Sequence, residues 1–163
     1  PSGEAAPRPG LVVTNAGGTC DQGTVADPGR PEAFRCLDDR NNLIDACFAP
    51  TPPLQLPGPA VLCSTDPTSP QVELLSPAQP LPAGRNSDDP NAAPWFLVLA
   101  DGRKCARAAS GSDTAVLGYF CKGGTLVTAP DRSQPAWTVR QGTFVNASPV
   151  LSPGRIVVTV AYR

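Results

Sequence analysis

Residues 95–106 read WFLVLADGRKCA, and this stretch decides the fold class. Two extended runs, 95–99 and 104–106, stand on either side of a turn in which Asp101 precedes Gly102. An Asp-Gly pair between extended runs is a strong local signal for a β-hairpin, because glycine accepts the positive φ that tight hairpin turns require. The stretch therefore predicts two antiparallel strands.

The same arrangement recurs twice along the chain. Residues 33–44 (AFRCLDDRNNLI) and residues 118–127 (GYFCKGGTLV) each pass from an apolar segment through a polar turn into a second apolar segment. In both, an aromatic residue stands two positions before a cysteine, which places the two side chains on one face of a strand. These segments predict two hairpins of one type and hint at a weak internal repeat.

Other strand candidates are less regular. The run 11–13 is predicted to end at the turn-forming residues 15–18, and 137–140 predicts a strand near the C-terminus. Residues 155–162 predict a last strand with three side chains on one face: Val158, Val160 and Tyr162.

Prolines crowd residues 50–94. Because proline lacks a backbone N–H and is excluded from central strands, this segment is predicted to supply only short edge strands, at 60–63 and 72–75. Residues 112–116 favour a single helical turn. We expect a flexible tail over 1–10 and one β-rich domain over 11–163.

The six cysteines are separated pairwise by an equal distance. Six cysteines allow fifteen full pairings. The spacing of 16 residues between successive partners favours three local loops, each contributing about 3 kcal/mol in the loop-entropy model. The favoured pairs are Cys20–Cys36, Cys47–Cys63 and Cys105–Cys121. A zinc site is disfavoured, because no two cysteines are close together and the chain has no His.

The composition indicates a lean hydrophobic core. Leu, Ile, Val and Phe together make 35 residues, whereas Pro and Gly together make 36. A core of this size usually needs covalent staples, and wide, even cysteine spacing is typical of an oxidising compartment. No apolar run is long enough to cross a bilayer, and the start at Pro1 is interpreted as a mature N-terminus or stalk left after removal of an export signal. The predicted location is secreted or extracytoplasmic.

The two ends of the chain differ in charge. Residues 1–100 hold five basic and eleven acidic side chains, a balance of −6, whereas residues 101–163 hold eight basic and three acidic, a balance of +5. One interpretation is mutual neutralisation of the two halves. The other is a basic face for an anionic envelope polymer, whereas nucleic acid is disfavoured because the net charge is −1. The candidate basic residues are Arg103, Lys104, Arg107, Lys122, Arg132 and Arg140.

Residue chemistry argues against an enzyme. Without His, neither a Ser-His-Asp nor a Cys-His group can form, and oxidised cysteines offer no thiol nucleophile. The segment Ser110-Gly111-Ser112-Asp113 is interpreted as a loop. Paired carboxylates for glycoside hydrolysis have five candidates, all expected in solvated turns where a neutral acid is hard to maintain: Asp38, Asp39, Asp45, Asp88 and Asp89. We predict no catalytic residue and no cofactor.

Two further motifs have ordinary explanations. Asp88 and Asp89, with Asn86 and Asn91, offer oxygen ligands for calcium, but their spacing matches no EF-hand, so an exposed turn is favoured and no metal is predicted. Residues 146–148 form an N-x-S sequon followed by proline.

The two tryptophans have two possible roles. Trp95 and Trp137 can form a platform for a carbohydrate or a peptide, since tryptophan stacks well and carries one donor. Each also precedes a β-run, where packing in the core is the favoured role.

Four stretches carry a resemblance to a known group of proteins: 34–36 (FRC), 45–48 (DACF), 94–105 (PWFLVLADGRKC) and 130–139 (PDRSQPAWTV). Over roughly residues 18–162 the chain resembles secreted or membrane-anchored actinobacterial proteins of unassigned function, some of which are extracytoplasmic parts of serine/threonine kinases. The resemblance implies an envelope location and a sensing or binding role, with no catalytic residue to carry over.

Residues 119–124 (YFCKGG) are similar to the Y-x-C-x-x-G strand and turn of periplasmic C-type lysozyme inhibitors. In that family the inhibitory Ser-Gly loop follows this element, whereas Ser110-Gly111 precedes it here. Taken together, the sequence predicts an all-β fold, a small sandwich or distorted barrel with long Pro-rich loops and three disulfides. The predicted role is a non-catalytic binding or sensing module, and the alternative is a secreted inhibitor of a hydrolase whose partner is an exported protein.

Overall fold

The computed structural model describes residues 10–26, 30–50, 58–82, 93–108 and 116–162. Within these residues it contains no α-helix, and the all-β prediction is confirmed. The strands are β1 (Val12–Gly23), β2 (Ala33–Asp38), β3 (Leu43–Phe48), β4 (Val61–Cys63), β5 (Gln71–Pro77), β6 (Phe96–Leu99), β7 (Lys104–Arg107), β8 (Tyr119–Cys121), β9 (Thr125–Val127), β10 (Thr138–Val145) and β11 (Ser148–Tyr162).

The strands fall into two compact units, Pro1–Ala92 and Ala93–Arg163. Strands β1–β5 close into one barrel and strands β6–β11 close into another, so of the two predicted architectures the barrel is the correct one. Each barrel has its own cluster of buried apolar side chains. The span 11–163, for which the sequence predicts one domain, therefore contains two units, because each sheet closes on itself and fills its own interior.

The first barrel is an up-and-down meander of five strands. Each strand pairs antiparallel with the next, and the barrel closes where β1 meets β5. Because the chain reverses direction at every strand, an odd number of strands leaves the first and last pointing the same way. The closing pair is accordingly parallel, from Val12↔Gln71 to Gly18↔Pro77. The interior is filled by Cys20, Phe34, Cys36, Ile44, Cys47, Val61, Cys63 and Leu75.

The second barrel is a meander of six strands. With an even number of strands the last returns antiparallel to the first, and β11 pairs with β6 up to Tyr162↔Phe96. Tyr119 is the largest fully buried side chain, and its hydroxyl donates a hydrogen bond to the carbonyl oxygen of Pro94. The remaining core residues are Leu97, Leu99, Cys105, Cys121, Val127 and Val139.

All three predicted disulfides are present. Each joins two neighbouring antiparallel strands, with Cα–Cα distances of 4.2, 4.1 and 3.8 Å in chain order. They link β1 to β2, β3 to β4, and β7 to β8, through Cys20–Cys36, Cys47–Cys63 and Cys105–Cys121. Three such staples agree with folding in an oxidising compartment.

The predicted hairpins are confirmed. β2–β3, β6–β7 and β8–β9 are antiparallel pairs at the predicted positions, and Gly102 in the β6–β7 turn has a φ of 83°. The aromatic residue and the cysteine of each repeated segment are buried on one face, Phe34 with Cys36 and Tyr119 with Cys121. The two similar segments lie in different barrels.

The proline-rich segment supplies strands with partners on both sides. β4 pairs with β3 and β5, and β5 pairs with β4 and β1, so the prediction of edge strands is wrong. Proline is tolerated because it stands at the strand ends: Pro70 directly precedes β5 and Pro77 is its last residue. A closed barrel leaves no edge for these strands to occupy.

The last strand departs from simple alternation. Val158 pairs with Leu99 but Val160 pairs with Val98, so one extra residue stands between them. A bulge of this kind reverses the alternation beyond it. The prediction that Val158, Val160 and Tyr162 share a face is therefore wrong: Val158 and Ala161 pack on the core, whereas Val160 is 44% exposed. The helical turn predicted over 112–116 lies, apart from Val116, outside the described residues, as does the tail apart from Gly10.

Strand β1 continues through residues 15–18, where the sequence predicts a turn. Gly18 allows the β1 backbone to approach β2, since a Cβ at this position would lie 2.2 Å from the carbonyl oxygen of Leu37. The Gly17 N–H donates a 2.9 Å hydrogen bond to Asp39 Oδ2. The glycines here serve close strand contact and not chain reversal.

We expect Gly18→Ala to lower the free energy of unfolding of the first barrel by about 1–3 kcal/mol, because the methyl group forces two paired backbones apart. Amide hydrogen exchange of β1 and β2 measures the loss. Gly58→Ala is the matched control: a Cβ there meets no atom within 4 Å. Equal protection in the two variants contradicts the prediction.

Candidate binding surface

The charge difference between the two ends of the chain follows the boundary between the units. The residues up to Ala92 include five basic and eleven acidic side chains, and those from Ala93 onward include eight basic and three acidic. The basic excess therefore belongs entirely to the second barrel and its connections. All six predicted basic residues lie on described parts of this unit.

Two of these residues are neighbours on the outside of the second barrel. Cys105 and Cys121 are paired across β7 and β8 and point into the core, so Lys104 and Lys122, one residue away from each, point outward. The Lys122 N–H donates a 3.0 Å hydrogen bond to the carbonyl oxygen of Lys104, which holds the two positions side by side. We call Lys104 and Lys122 the lysine pair.

An aromatic residue shares this outer face. Phe120 lies two residues before Lys122, pairs with Ala106 and is 55% exposed. The outer face of β7 and β8 thus combines two ammonium groups with an exposed ring.

Arg103 crosses one end of the second barrel. Its Nε and Nη2 donate to Asp101 Oδ2 at 2.9 and 2.7 Å, and its Nη1 donates to Gln141 Oε1 at 3.1 Å. Gln141 belongs to β10, three strands away from β7 in a six-stranded barrel and therefore on the opposite wall. The hydrogen bond from the Arg103 side chain lowers the pKa of Asp101. The Arg103 guanidinium is thus hydrogen-bonded to Asp101 and Gln141 across the barrel end.

The other three arginines lie apart from the lysine pair. Arg107 pairs with Tyr119 at the far end of β7, and Arg140 Nε donates a 2.9 Å hydrogen bond to the carbonyl oxygen of Ser152. The guanidinium carbon of Arg132 lies 4.7 Å from the centre of the Trp137 ring, a cation–π contact. The structure therefore brings together two of the six basic side chains on the outer face, with Arg103 beside them.

The two tryptophans differ in exposure. Trp95 is 5% exposed and lies within 6.5 Å of the rings of Phe96 and Tyr162, so core packing is its role. The enclosed ring supports the favoured role in core packing, and a ligand platform at Trp95 stays a prediction. Trp137 is half-buried beneath Arg132, and its place in a ligand site stays a prediction.

Asp45 does not lie in a solvated turn. It belongs to β3, its side chain is 2% exposed, and its Oδ2 accepts hydrogen bonds from Arg35 Nε at 3.0 Å and from the Val25 N–H at 3.1 Å. The Thr24 hydroxyl donates to its Oδ1. The expectation of a solvated carboxylate is wrong because β3 extends past the turn and carries Asp45 into the barrel wall.

Asp38 and Asp39 do lie at a turn. Asp38 accepts hydrogen bonds from the Arg40 N–H and from the backbone and side-chain N–H groups of Asn42, and the side-chain hydrogen bond of Asn42 is the main cause that lowers its pKa. Asp38 thereby stabilises the β2–β3 turn as an anion. Asp88 and Asp89, Asn86 and Asn91, and residues 110–113 lie outside the described part of the chain.

A cleft of about 510 Å³ opens at one end of the first barrel. Its lining includes Asp38, Asp39, Asp66 and Glu73, against one arginine, Arg40. Sequence reasoning missed this cleft because its walls come from β1, β5 and two turns that only barrel closure brings together.

Three sulfur atoms, those of Cys36, Cys47 and Cys63, lie within 4.8 Å of one another in the first core. All three belong to disulfides, so none is a thiolate that could ligate a metal.

The sequon lies on an exposed turn. Asn146 and Ala147 join β10 to β11 with φ values of 49° and 62°, the backbone of a two-residue hairpin turn. Among the described residues no helix has the length and hydropathy needed for a bilayer span.

Comparisons with known proteins found no matching family model, no matching curated protein and no matching solved structure. The resemblances to actinobacterial envelope proteins and to lysozyme inhibitors stay predictions.

Proposed function

We propose that this chain is a non-catalytic binding or sensing module of the cell envelope, and that its second barrel binds an anionic envelope polymer. The observation that carries the proposal is the lysine pair on the outer face of β7 and β8. Two adjacent ammonium groups on a rigid, disulfide-linked strand pair match the repeated negative charges of such a polymer.

The electrostatics of the second unit support the proposal. Its two described carboxylates are each engaged by an arginine, Asp101 by Arg103 and Asp131 by Arg155, both at 2.7 Å. The pKa of Asp131 is lowered to about 2, by hydrogen bonds from Ser133 and Arg155. Both groups are therefore ionised and paired at neutral pH, and the unit keeps its basic excess.

Residue chemistry supports the non-catalytic part. The chain has no His, and all six cysteines are in disulfides, which removes imidazole bases and thiol nucleophiles. The disulfides also support a location outside the cytoplasm.

Inorganic polyphosphate serves as the probe polymer. We expect Lys122→Glu to weaken its binding at least fivefold at low salt, and we expect binding by the unaltered chain to weaken as salt rises. Isothermal titration or fluorescence anisotropy measures both effects.

Arg40→Glu is the matched control, because it makes the same change of charge on an exposed turn of the first barrel. We expect it to change binding less than twofold. Equal losses in Lys122→Glu and Arg40→Glu would mean that only the net charge matters and would contradict a site at the lysine pair.

A further inference from the structure

The hairpin of β10 and β11 extends beyond the second barrel. β9 pairs with β10 only at Gln141 and Gly142, and β6 pairs with β11 only from Val158 onward. Beyond these positions, residues 143–150 pair with one another and with no other strand of the sheet. At about 3.4 Å per residue, the turn lies roughly 10 Å past the last contact with β9.

Both faces of this hairpin tip expose apolar side chains. Phe144 is 41% exposed on one face, and Val145 and Val150 are 53% and 51% exposed on the other. Residues 141–154 (QGTFVNASPVLSPG) contain no charged side chain. An exposed tip that is uncharged and apolar on both faces is typical of a surface that contacts an apolar partner or a membrane.

The base of the hairpin carries two arginines. Arg140 and Arg155 flank the uncharged stretch and face each other across β10 and β11. Arg155 is 57% exposed and reaches Asp131, while Arg140 donates to the Ser152 carbonyl oxygen. The arginines therefore bound the uncharged stretch on both strands.

We propose that the tip at residues 143–150 inserts into the surface of an anionic lipid membrane, with Arg140 at the base of the hairpin facing the headgroup charges. The length of the tip matches the 5–10 Å to which interfacial apolar segments are buried. Arg140 and the basic excess of the second unit supply the charge complementarity, whereas the charge of Arg155 is engaged by Asp131. Pro149 and Pro153 on β11 disfavour the other use of such a hairpin, the addition of a partner strand along that edge. The proposal does not depend on the lysine pair.

Vesicles of phosphatidylcholine with 30 mol% phosphatidylglycerol test the proposal by co-sedimentation with the full chain. We expect binding at least tenfold stronger than to pure phosphatidylcholine, and we expect Phe144→Ser/Val145→Ser to lower it at least tenfold. Val157→Ser/Val160→Ser is the matched control, because it removes two exposed apolar side chains from the same barrel outside the tip, and we expect it to change binding less than twofold. Native intrinsic fluorescence confirms that each variant is folded.

Phe144→Trp provides a direct reading of insertion. We expect its emission to shift to the blue on anionic vesicles and to be quenched by brominated lipid. Unshifted emission, or equal losses in the hairpin variant and in Val157→Ser/Val160→Ser, overturns the proposal. Stoichiometric loss of lysozyme or protease activity that requires Phe144 and Val145, without vesicle binding, assigns the tip to a protein cleft and likewise overturns it.

Discussion

Asp45→Ala is expected to lower the free energy of unfolding of the first barrel by about 3–5 kcal/mol. The substitution leaves the Arg35 guanidinium, the Thr24 hydroxyl and the Val25 N–H without the carboxylate that accepts from all three. Removing one member of a buried pair costs more than the pair itself contributes, because the remaining charge stays desolvated. Amide hydrogen exchange of β2 and β3 under native conditions measures the loss.

Two further variants separate the causes. Asp45→Asn keeps the two hydrogen bonds from Arg35 and Val25 through its amide oxygen, and its amide nitrogen can donate to the Thr24 hydroxyl oxygen, so we expect a smaller loss of about 1–2 kcal/mol. Asp21→Ala removes an exposed carboxylate from β1 and is expected to change stability by less than about 0.5 kcal/mol. If the amides of β2 and β3 are as well protected from exchange in Asp45→Ala as in Asp21→Ala, the buried network does not stabilise the barrel.

Replacing both cysteines of the second barrel, in Cys105→Ala/Cys121→Ala, is expected to lower its free energy of unfolding by about 3 kcal/mol. The disulfide closes a loop of 16 residues, and its removal enlarges the unfolded ensemble. With a urea dependence of about 1–3 kcal/mol per molar, the unfolding midpoint should fall by about 1–3 M. Intrinsic fluorescence is the measurement, since every Trp and Tyr lies after residue 92.

Cys47→Ala/Cys63→Ala is the matched pair of substitutions, because it opens a loop of the same length in the first barrel. Its loss should be seen in the amide exchange of β3 and β4. An unchanged fluorescence midpoint in Cys105→Ala/Cys121→Ala would show that the second core holds the barrel without its staple.

The features that the sequence predicts correctly are those that depend on neighbours along the chain. The Asp101-Gly102 turn, the repeated aromatic-x-Cys segments and the three disulfides all involve residues within 16 positions of each other. Turn chemistry and the two-residue alternation of strands act over that range, so the local sequence is enough to predict these features.

The errors have non-local causes. Residues 15–18 have turn chemistry, yet pairing with β5 keeps them extended. Alternation places Val160 inward, yet the bulge before it turns it outward. In each case a contact with a distant strand outweighs the local preference. The reason is that the backbone N–H and C=O groups of every strand are paired only when the barrel closes.

Some properties of the candidate sites likewise follow from the sequence alone, and others only from the fold. The sequence by itself determined the residue types available: no His, six cysteines, a basic second half and an uncharged stretch at 141–154. Only the tertiary structure decided that Lys104 stands beside Lys122, that Arg103 spans a barrel end, that Asp45 is buried, and that residues 143–150 project from the barrel. The physical reason is that the exposure of a side chain and its distance from other side chains depend on which strands pair when each sheet closes. That pairing is determined by the number and order of the strands and not by any local signal.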